Sequence, residues 1–479
     1  MNMQDNNKVW QAMERKLAIV PLSADDIPDD APGEYTPLGS DLALSDEFAR
    51  AAAGVLRWTP GLDWMTNVGS HWESDRHLMR FTMAKKVCRS AAGEPDNEKQ
   101  ARGICSAATH AALLNLARSA DGIITGLDDW DCHPMLLNTP GGVIDLKTGK
   151  EVSRDGLLFT HVAGVAPMPM PTPIWDRFLS EVLDGDIEQV EFIQRLGGYC
   201  LTGSLEEQKI FFLFGSGANG KSVLLDVLRA LGGRYSHNLP SEALTTNKSE
   251  GHPTMFAALH GKRLAISSEI EEGAHWAEAR MKALSGDETL TARFMKKDFF
   301  TFRMSQKHLI AGNFKPRLKG DDFAMSRRMV LIPFTQRFEG ARRDKQLPEK
   351  LKAEYPGIMA WFIEGARKWR ESGLAIPSAI SDASREYMAE QDDIGLWVAS
   401  CCQEVKGARE RASRLFTSFN GWKTRNGEHA GSSKTFYQRM ERIYDKKRAG
   451  GGCDYVGLRL VPDVEGSGPN AYERASRGD

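Results

Sequence analysis

Ile210-Phe211-Phe212-Leu213-Phe214-Gly215-Ser216-Gly217-Ala218-Asn219-Gly220-Lys221-Ser222 is the stretch from which the rest of the chain can be read. Five consecutive apolar residues suit a short strand buried on both faces. Ser222 then opens a segment with Leu224, Val227, Leu228 and Leu231 at helical spacing, closed by Gly232-Gly233. Strand, glycine-rich loop and helix in that order predict a P-loop. Gly215, Gly217 and Gly220 let backbone N–H groups turn inward around a polyphosphate, with Ser216, Ala218 and Asn219 completing the cradle. Lys221 brings a point charge to the β/γ oxygens, and the Ser222 hydroxyl can ligate Mg²⁺. The cofactors expected are therefore ATP and Mg²⁺.

The chain has 479 residues, more than one ordinary core needs, so two to four domains are expected. Its net charge of −2 gives no global field for nucleic acid or membrane, and DNA contact must come from local patches. Seven cysteines without CxxC spacing argue against a disulfide framework or a zinc site and fit a reducing cytoplasm. No apolar run approaches the ~18 residues of a membrane span, and the start lacks a signal-peptide core.

A P-loop serves many NTPases, so the following hundred residues decide which kind this is. Gly261 to Ser268 reads as a strand ending at Glu269, a catalytic base that positions water and belongs to the Mg²⁺ site, with Glu271 or Glu272 as lesser helpers. Position 268 is a serine, so a doubly acidic pair is not present. His308 to Asn313 is a further strand, whose Asn313 amide can orient a water and sense the γ-phosphate; the plainer alternative is a loop cap. Arg327-Arg328 precede the apolar run 329–334. Their place beyond the Asn313 strand favours an arginine finger acting on a neighbouring subunit over a solvated pair. Arg327 is the favoured finger and Arg328 the favoured contact to the protomer's own nucleotide, with the reverse order open. Asn247-Lys248-Ser249-Glu250 imitates a GTPase base-reading motif but follows the P-loop too closely, and is read as a loop.

The order P-loop, Glu269, Asn313, Arg327-Arg328 resembles the superfamily 3 helicases, in particular the phage and plasmid primase-helicase family. Lys282-Ala283-Leu284-Ser285-Gly286-Asp287-Glu288 with Thr291-Ala292-Arg293 is similar to that family's intervening motif. The resemblance implies an AAA+-like α/β module, a homo-oligomeric, hexameric ring and 3′ to 5′ translocation on single-stranded DNA. Asp128-Asp129-Trp130-Asp131, the one candidate for a primase carboxylate cluster ahead of Trp175, falls in a structural position of the family pattern, so the chain resembles a helicase without its primase half. The partners expected are single-stranded and forked DNA and a separate primase or other replication proteins, in the cytoplasm of a bacterial host.

Two regions are candidates for touching DNA. Arg293 to Phe300 reads as a hairpin with Lys296 and Lys297 near its tip, where they would track phosphates in a ring channel; Phe299 and Phe300 are expected to be core. Residues 398–462 are locally basic, with helices at 411–422 and 434–443 and two strands around 453–460, a winged-helix pattern. Ser433 would cap the second helix, whose Lys434, Gln438 and Arg439 would face a groove. A winged helix used only for protein contact is the rival.

The fold class expected is α/β. A mobile segment (1–40) precedes an N-terminal mixed α/β domain (41–170) and a helical collar (171–205). The AAA+-like ATPase core (206–345), a helical lid (346–397), the winged helix (398–462) and a disordered tail (463–479) follow. The function expected is a replicative ATP-dependent DNA helicase of a phage, prophage or plasmid. Its rivals are a DNA-binding ATPase that loads replication proteins without unwinding, and a nucleotide switch or small-molecule kinase.

Overall fold

The computed structural model describes residues 37, 39–93, 98–246, 253–268, 270–295, 298–318, 323–429 and 431–461. Most of the expected mobile start, all of the expected tail, the 247–250 loop, Glu269, Lys296 and Lys297 lie outside the described residues.

The chain divides into two compact units, one of residues 1–66 and 74–125 and one of 67–73 and 126–479. The first unit holds α1 (Asp41–Ala52), a hairpin of β1 (Leu56–Thr59) and β2 (Asp63–Asn67), α2 (Met79–Ala91), α3 (Glu98–Ile104) and α4 (Ala107–Leu116). Ser40 caps α1 and Ser106 caps α4, each accepting from the N–H three residues on. Leu44, Phe48, Trp64, Val87 and Leu113 share the core of this unit.

The second unit begins with a three-stranded antiparallel sheet, β3 (Leu136–Thr139), β4 (Gly142–Asp145) and β5 (Lys150–Val152). Residues 126–170, which the sequence groups with the N-terminal domain, thus lie in the second unit. Asp131 accepts from the hydroxyl and the backbone N–H of Thr160, and Asn138 donates to the His161 carbonyl at 2.8 Å, so both side chains have structural partners.

Helices α5 (Pro173–Val182) and α6 (Ile187–Leu201) follow, then β6 (Ile210–Phe214), α7 (Lys221–Gly232), β7 (Ser236–Asn238), β8 (Leu264–Ser267) and α8 (Glu278–Gly286). The hairpin β9 (Thr289–Ala292) and β10 (Phe300–Arg303) precedes β11 (Lys307–Gly312) and β12 (Met329–Pro333). Five of these strands form one parallel sheet in the order β12-β6-β11-β8-β7. β6 and β12 read as unbroken apolar runs because both faces of the sheet are covered. Phe211, Leu213, Val330 and Ile332 face one core, while Ile210, Phe212, Met329 and Leu331 face the other.

Lys307 opens β11 at 2% exposed, and its ammonium donates to the carbonyls of Thr202 and Ser305. Burial pulls its pKa down to about 7 from the ordinary 10.5. Between those two values the unfolded chain binds more protons than the fold, so stability rises with pH across the window and is lost as pH falls toward about 7. Lys307→Met should flatten that rise, measured as the pH dependence of urea melts; an unchanged slope would mean Lys307 keeps its proton in the fold.

Beyond the sheet come α9 (Tyr355–Ser372), α10 (Ser378–Glu390) and α11 (Asp393–Cys401). α9 crosses α6 at backbone contact: a Cβ on Gly198 would stand 2.1 Å from the Ala366 nitrogen, and one on Gly365 2.0 Å from the Gln194 carbonyl oxygen. Regions that the sequence separates as collar and lid are therefore packed together. The last elements are β13 (Cys402–Arg411), α12 (Ala412–Arg425), α13 (Ser433–Met440), β14 (Lys446–Ala449) and β15 (Gly452–Leu460). Their sheet is antiparallel in the order β13-β15-β14, over a core of Trp397, Phe419, Phe436 and Tyr455. Ser432, not Ser433, caps α13, its hydroxyl accepting from the Thr435 N–H at 3.2 Å. Among the described residues no helix is long and apolar enough to cross a membrane.

Candidate nucleotide site at the end of the parallel sheet

The loop 215–220 follows β6 and turns into α7 with no side-chain cap on the helix, which leaves the first N–H groups of α7 directed at the loop. Gly217 and Gly220 adopt φ of +93° and +89°, and Ala218 +48°. Gly215 is constrained by space instead: a Cβ there would meet the Asn219 amide at 2.1 Å and the Phe334 carbonyl at 2.3 Å. Positive φ at 217, 218 and 220 and the lack of space at 215 together shape the loop.

Lys221 is 5% exposed, and its Nζ donates to the Gly215 carbonyl (2.7 Å), Asn219 Oδ1 (3.0 Å) and Asn313 Oδ1 (3.2 Å). Burial lowers its pKa to about 8. Because β11 lies between β6 and β8, its C-terminal end delivers Asn313 beside the P-loop lysine. Asn219 also donates to the Phe334 carbonyl at 3.1 Å, which ties the loop to the end of β12. That bridging role has no signature in the sequence.

A cleft of about 1410 Å³ opens over the loop, lined by Gly217 to Val223, Ser268, Glu271 and Asn313. Ser222 is exposed within it and can offer its hydroxyl to a phosphate-bound Mg²⁺. Walls that sequence reasoning missed come from α5 (Phe178, Val182) and from Phe338, Arg342 and Leu347. These segments carry no local motif; only the fold brings them to the loop.

Arg327 and Arg328 lie elsewhere. Both precede β12, which runs parallel to β6 with Met329 opposite Ile210 and Pro333 opposite Phe214, so they stand at the sheet edge away from the P-loop. Arg327 is exposed. Arg328 is half-buried, donates to the Ala324 carbonyl at 2.9 Å, and packs where a Cβ on Gly286 would come within 2.8 Å of its guanidinium. The expectation that Arg328 contacts its own protomer's nucleotide is corrected by this placement, and the Ser285-Gly286-Asp287 motif makes room for its side chain.

Other candidate positions divide similarly. At the β9–β10 hairpin Phe300 is buried, whereas Phe299 is 57% exposed with the Arg293 guanidinium 4.8 Å from its ring centroid, contrary to the core position expected for it. On α13 Lys434 and Gln438 are exposed. Arg439 instead turns toward Asp392 at 3.4 Å with its side chain only 16% exposed, which removes it from the outward face.

Residues 42–184 match the family described as D5 N terminal like, and residues 213–328 match a family of unknown function, DUF5906. "Putative helicase L207/L206" of Acanthamoeba polyphaga mimivirus is 29% identical over 311 residues, 59% of this chain and 32% of that protein. "Putative helicase 022R" of Frog virus 3 (isolate Goorha) is 21% identical over 261 residues, 50% of this chain and 26% of that protein. The chain thus spans about a third or less of these curated relatives' lengths. Among solved structures, the apo A form of the NrS-1 C terminal region aligns over 87% of this chain and 98% of its own, at 12% identity and a TM-score of 0.49. Over part of its length the chain is thus similar to viral proteins named putative helicases, and it carries a D5 N terminal like segment.

Proposed function

We propose that this chain is an ATP-dependent replicative DNA helicase of a phage, prophage or plasmid, working as a homo-oligomeric, hexameric ring on single-stranded and forked DNA in the cytoplasm of a bacterial host. The observation that carries this reading is the Lys221 ammonium held by the P-loop and by Asn313 from the adjacent strand, in a glycine-built cradle. A triphosphate would take the lysine as its β/γ counter-ion and restore its full charge, and Asn313 would orient the attacking water. Ser222 would ligate Mg²⁺, which supplies charge neutralisation on the phosphates, and Glu269 would act as the base. The 206–345 region is read as an AAA+-like core, the α5–α6 helices as a collar, and β13 to β15 with α12 and α13 as a winged helix. Lys434 of α13 and the exposed Lys447 and Arg448 of β14 support a DNA-facing role for that last module.

Lys296 and Lys297, in the segment between β9 and β10, are proposed to track single-stranded DNA. Lys296→Ala with Lys297→Ala should keep basal ATP turnover while losing its stimulation by single-stranded DNA and most displacement of a forked duplex. Unwinding of the fork at the unsubstituted rate would sink the channel assignment. Stimulated ATP turnover by the unsubstituted protein with no strand displacement would favour a loader over a helicase.

A further inference from the structure

We propose that the first unit carries a second single-stranded nucleic-acid surface, on the outer face of α2 and the turn before it. From residue 76 to residue 93 the chain holds Arg76, Arg80, Lys85, Lys86 and Arg89 and not one carboxylate, within a protein whose net charge is −2. Phe81, Lys85 and Arg89 recur at four-residue spacing and Lys86 lies beside them, so they share one side of the helix. All four are exposed. A solvated helix face commonly mixes signs and pairs them three or four residues apart. Arg76, Lys85, Lys86 and Arg89 form no ion pair among the described residues.

The turn is built to present this face. Asp75 is 4% exposed, and its carboxylate accepts from the N–H groups of Met79 (2.7 Å) and Arg80 (3.1 Å) and from the Arg80 guanidinium (2.9 Å). That clamp spends the nearest acid and holds Arg76, His77 and Leu78 outward. Leu78 sits at φ +57° and is 49% exposed, a left-handed leucine that gains no burial for its strain. The Arg80 guanidinium stands 4.8 Å from the Phe81 ring centroid and holds the ring at the surface, 37% exposed. Unpaired cations with an aromatic among them suit a strand that offers phosphates and unstacked bases, where a duplex keeps its base faces stacked. The choice of DNA over RNA rests on the helicase reading.

The test uses the full chain and a fluorescent oligothymidylate of about thirty residues, followed by anisotropy across a salt series. Lys85→Ala, Lys86→Ala and Arg89→Ala combined should weaken binding about tenfold or more and reduce the magnitude of the log–log salt slope by about 2, from roughly 0.7 per phosphate contact on single strands. Phe81→Ala should weaken binding about fivefold or more with the slope unchanged, as loss of a stacked base requires. Basal ATP turnover should stay the same in both, because none of these residues lines the nucleotide cleft. Unsubstituted affinity and slope in the triple variant would overturn the proposal. So would displacement by poly-glutamate as effective as by the oligonucleotide, which would mark an acidic protein partner, or a loss confined to duplex with Phe81→Ala silent. Expected binding losses in a protein that turns over no ATP would leave this surface standing and sink the ATPase reading instead.

Discussion

Arg327→Ala is expected to bind ATP as the unsubstituted protein does and to hydrolyse it ~10³-fold more slowly. An arginine finger lends its guanidinium to the phosphoryl group in transfer on the adjacent subunit, and it does nothing for its own protomer's site. The placement of Arg327 suits that division: it is exposed, and the parallel register of β12 with β6 puts it at the far edge of the sheet from Lys221. Lys221→Ala should also fail to turn over ATP, because it removes the cation at the phosphates. Mixed under conditions that allow subunit exchange, the two inactive proteins should partly recover, since some interfaces then join an intact P-loop to an intact arginine. No recovery at any ratio, with exchange confirmed by labelled subunits, would remove the trans role. Arg328→Ala serves as a contrast. Bonded to the Ala324 carbonyl and packed on Gly286, it should act mainly through local order, lowering the melting temperature more than it changes the rate in the folded fraction.

Gly198→Ala should destabilise the protein by about 3 kcal/mol or more, the upper range of overpacking. In an open helix the same change stabilises by up to about 1 kcal/mol. Here the added Cβ would fall 2.1 Å from the Ala366 nitrogen, 2.3 Å from the Gly365 carbonyl carbon and 2.6 Å from the Phe362 oxygen. These are backbone atoms of α9, and they yield only if the two helices part. Gly421→Ala within α12 is the control, since its Cβ would meet nothing nearer than 3.7 Å. Opposite shifts of the urea midpoint are expected from the two substitutions, and equal shifts would show that the crossing relaxes without loss. Because α5, next to α6 in the chain, lines the nucleotide cleft through Phe178 and Val182, Gly198→Ala should also raise the KM for ATP in whatever fraction folds.

The parallel core was legible because its physics is local. Ile210–Phe214 and Met329–Pro333 are apolar throughout, as strands covered on both faces must be. The glycines of the loop are adjacent in sequence as they are in space. Strands that pair at an edge left no such mark: Ser236–Asn238 is wholly polar, and Cys402–Arg411 is mostly polar with only Glu410 buried, so neither alternates in hydrophobicity. Arg439 could not be placed from helical spacing, because its partner Asp392 lies 47 residues earlier. The same limit hid Phe338 and Arg342 from the nucleotide site and put Phe299 inside rather than outside. Of the candidate site, the cradle and Asn313 follow from motif order, whereas the side-chain bridge through Asn219 and the position of Arg328 depend on contacts that only the folded chain makes.

β12 joins the P-loop end of the sheet to the arginine pair, two places that on the proposed reading would act on different nucleotides. At one end Phe334 is bonded to the β6 backbone (2.7 Å) and to Asn219 of the loop, and at the other Arg328 receives the Ile210 N–H (2.8 Å) and leads to Arg327. At about 3.3 Å per residue this is a stiff span of roughly 20 Å, laddered to β6 along its length. On that reading a push on the loop that moves Phe334 would be carried along the strand axis and reach the arginines. Each protomer in a ring would then work as a lever, with its own triphosphate at one arm and its neighbour's at the other, and firing at one site would set the timing of the next.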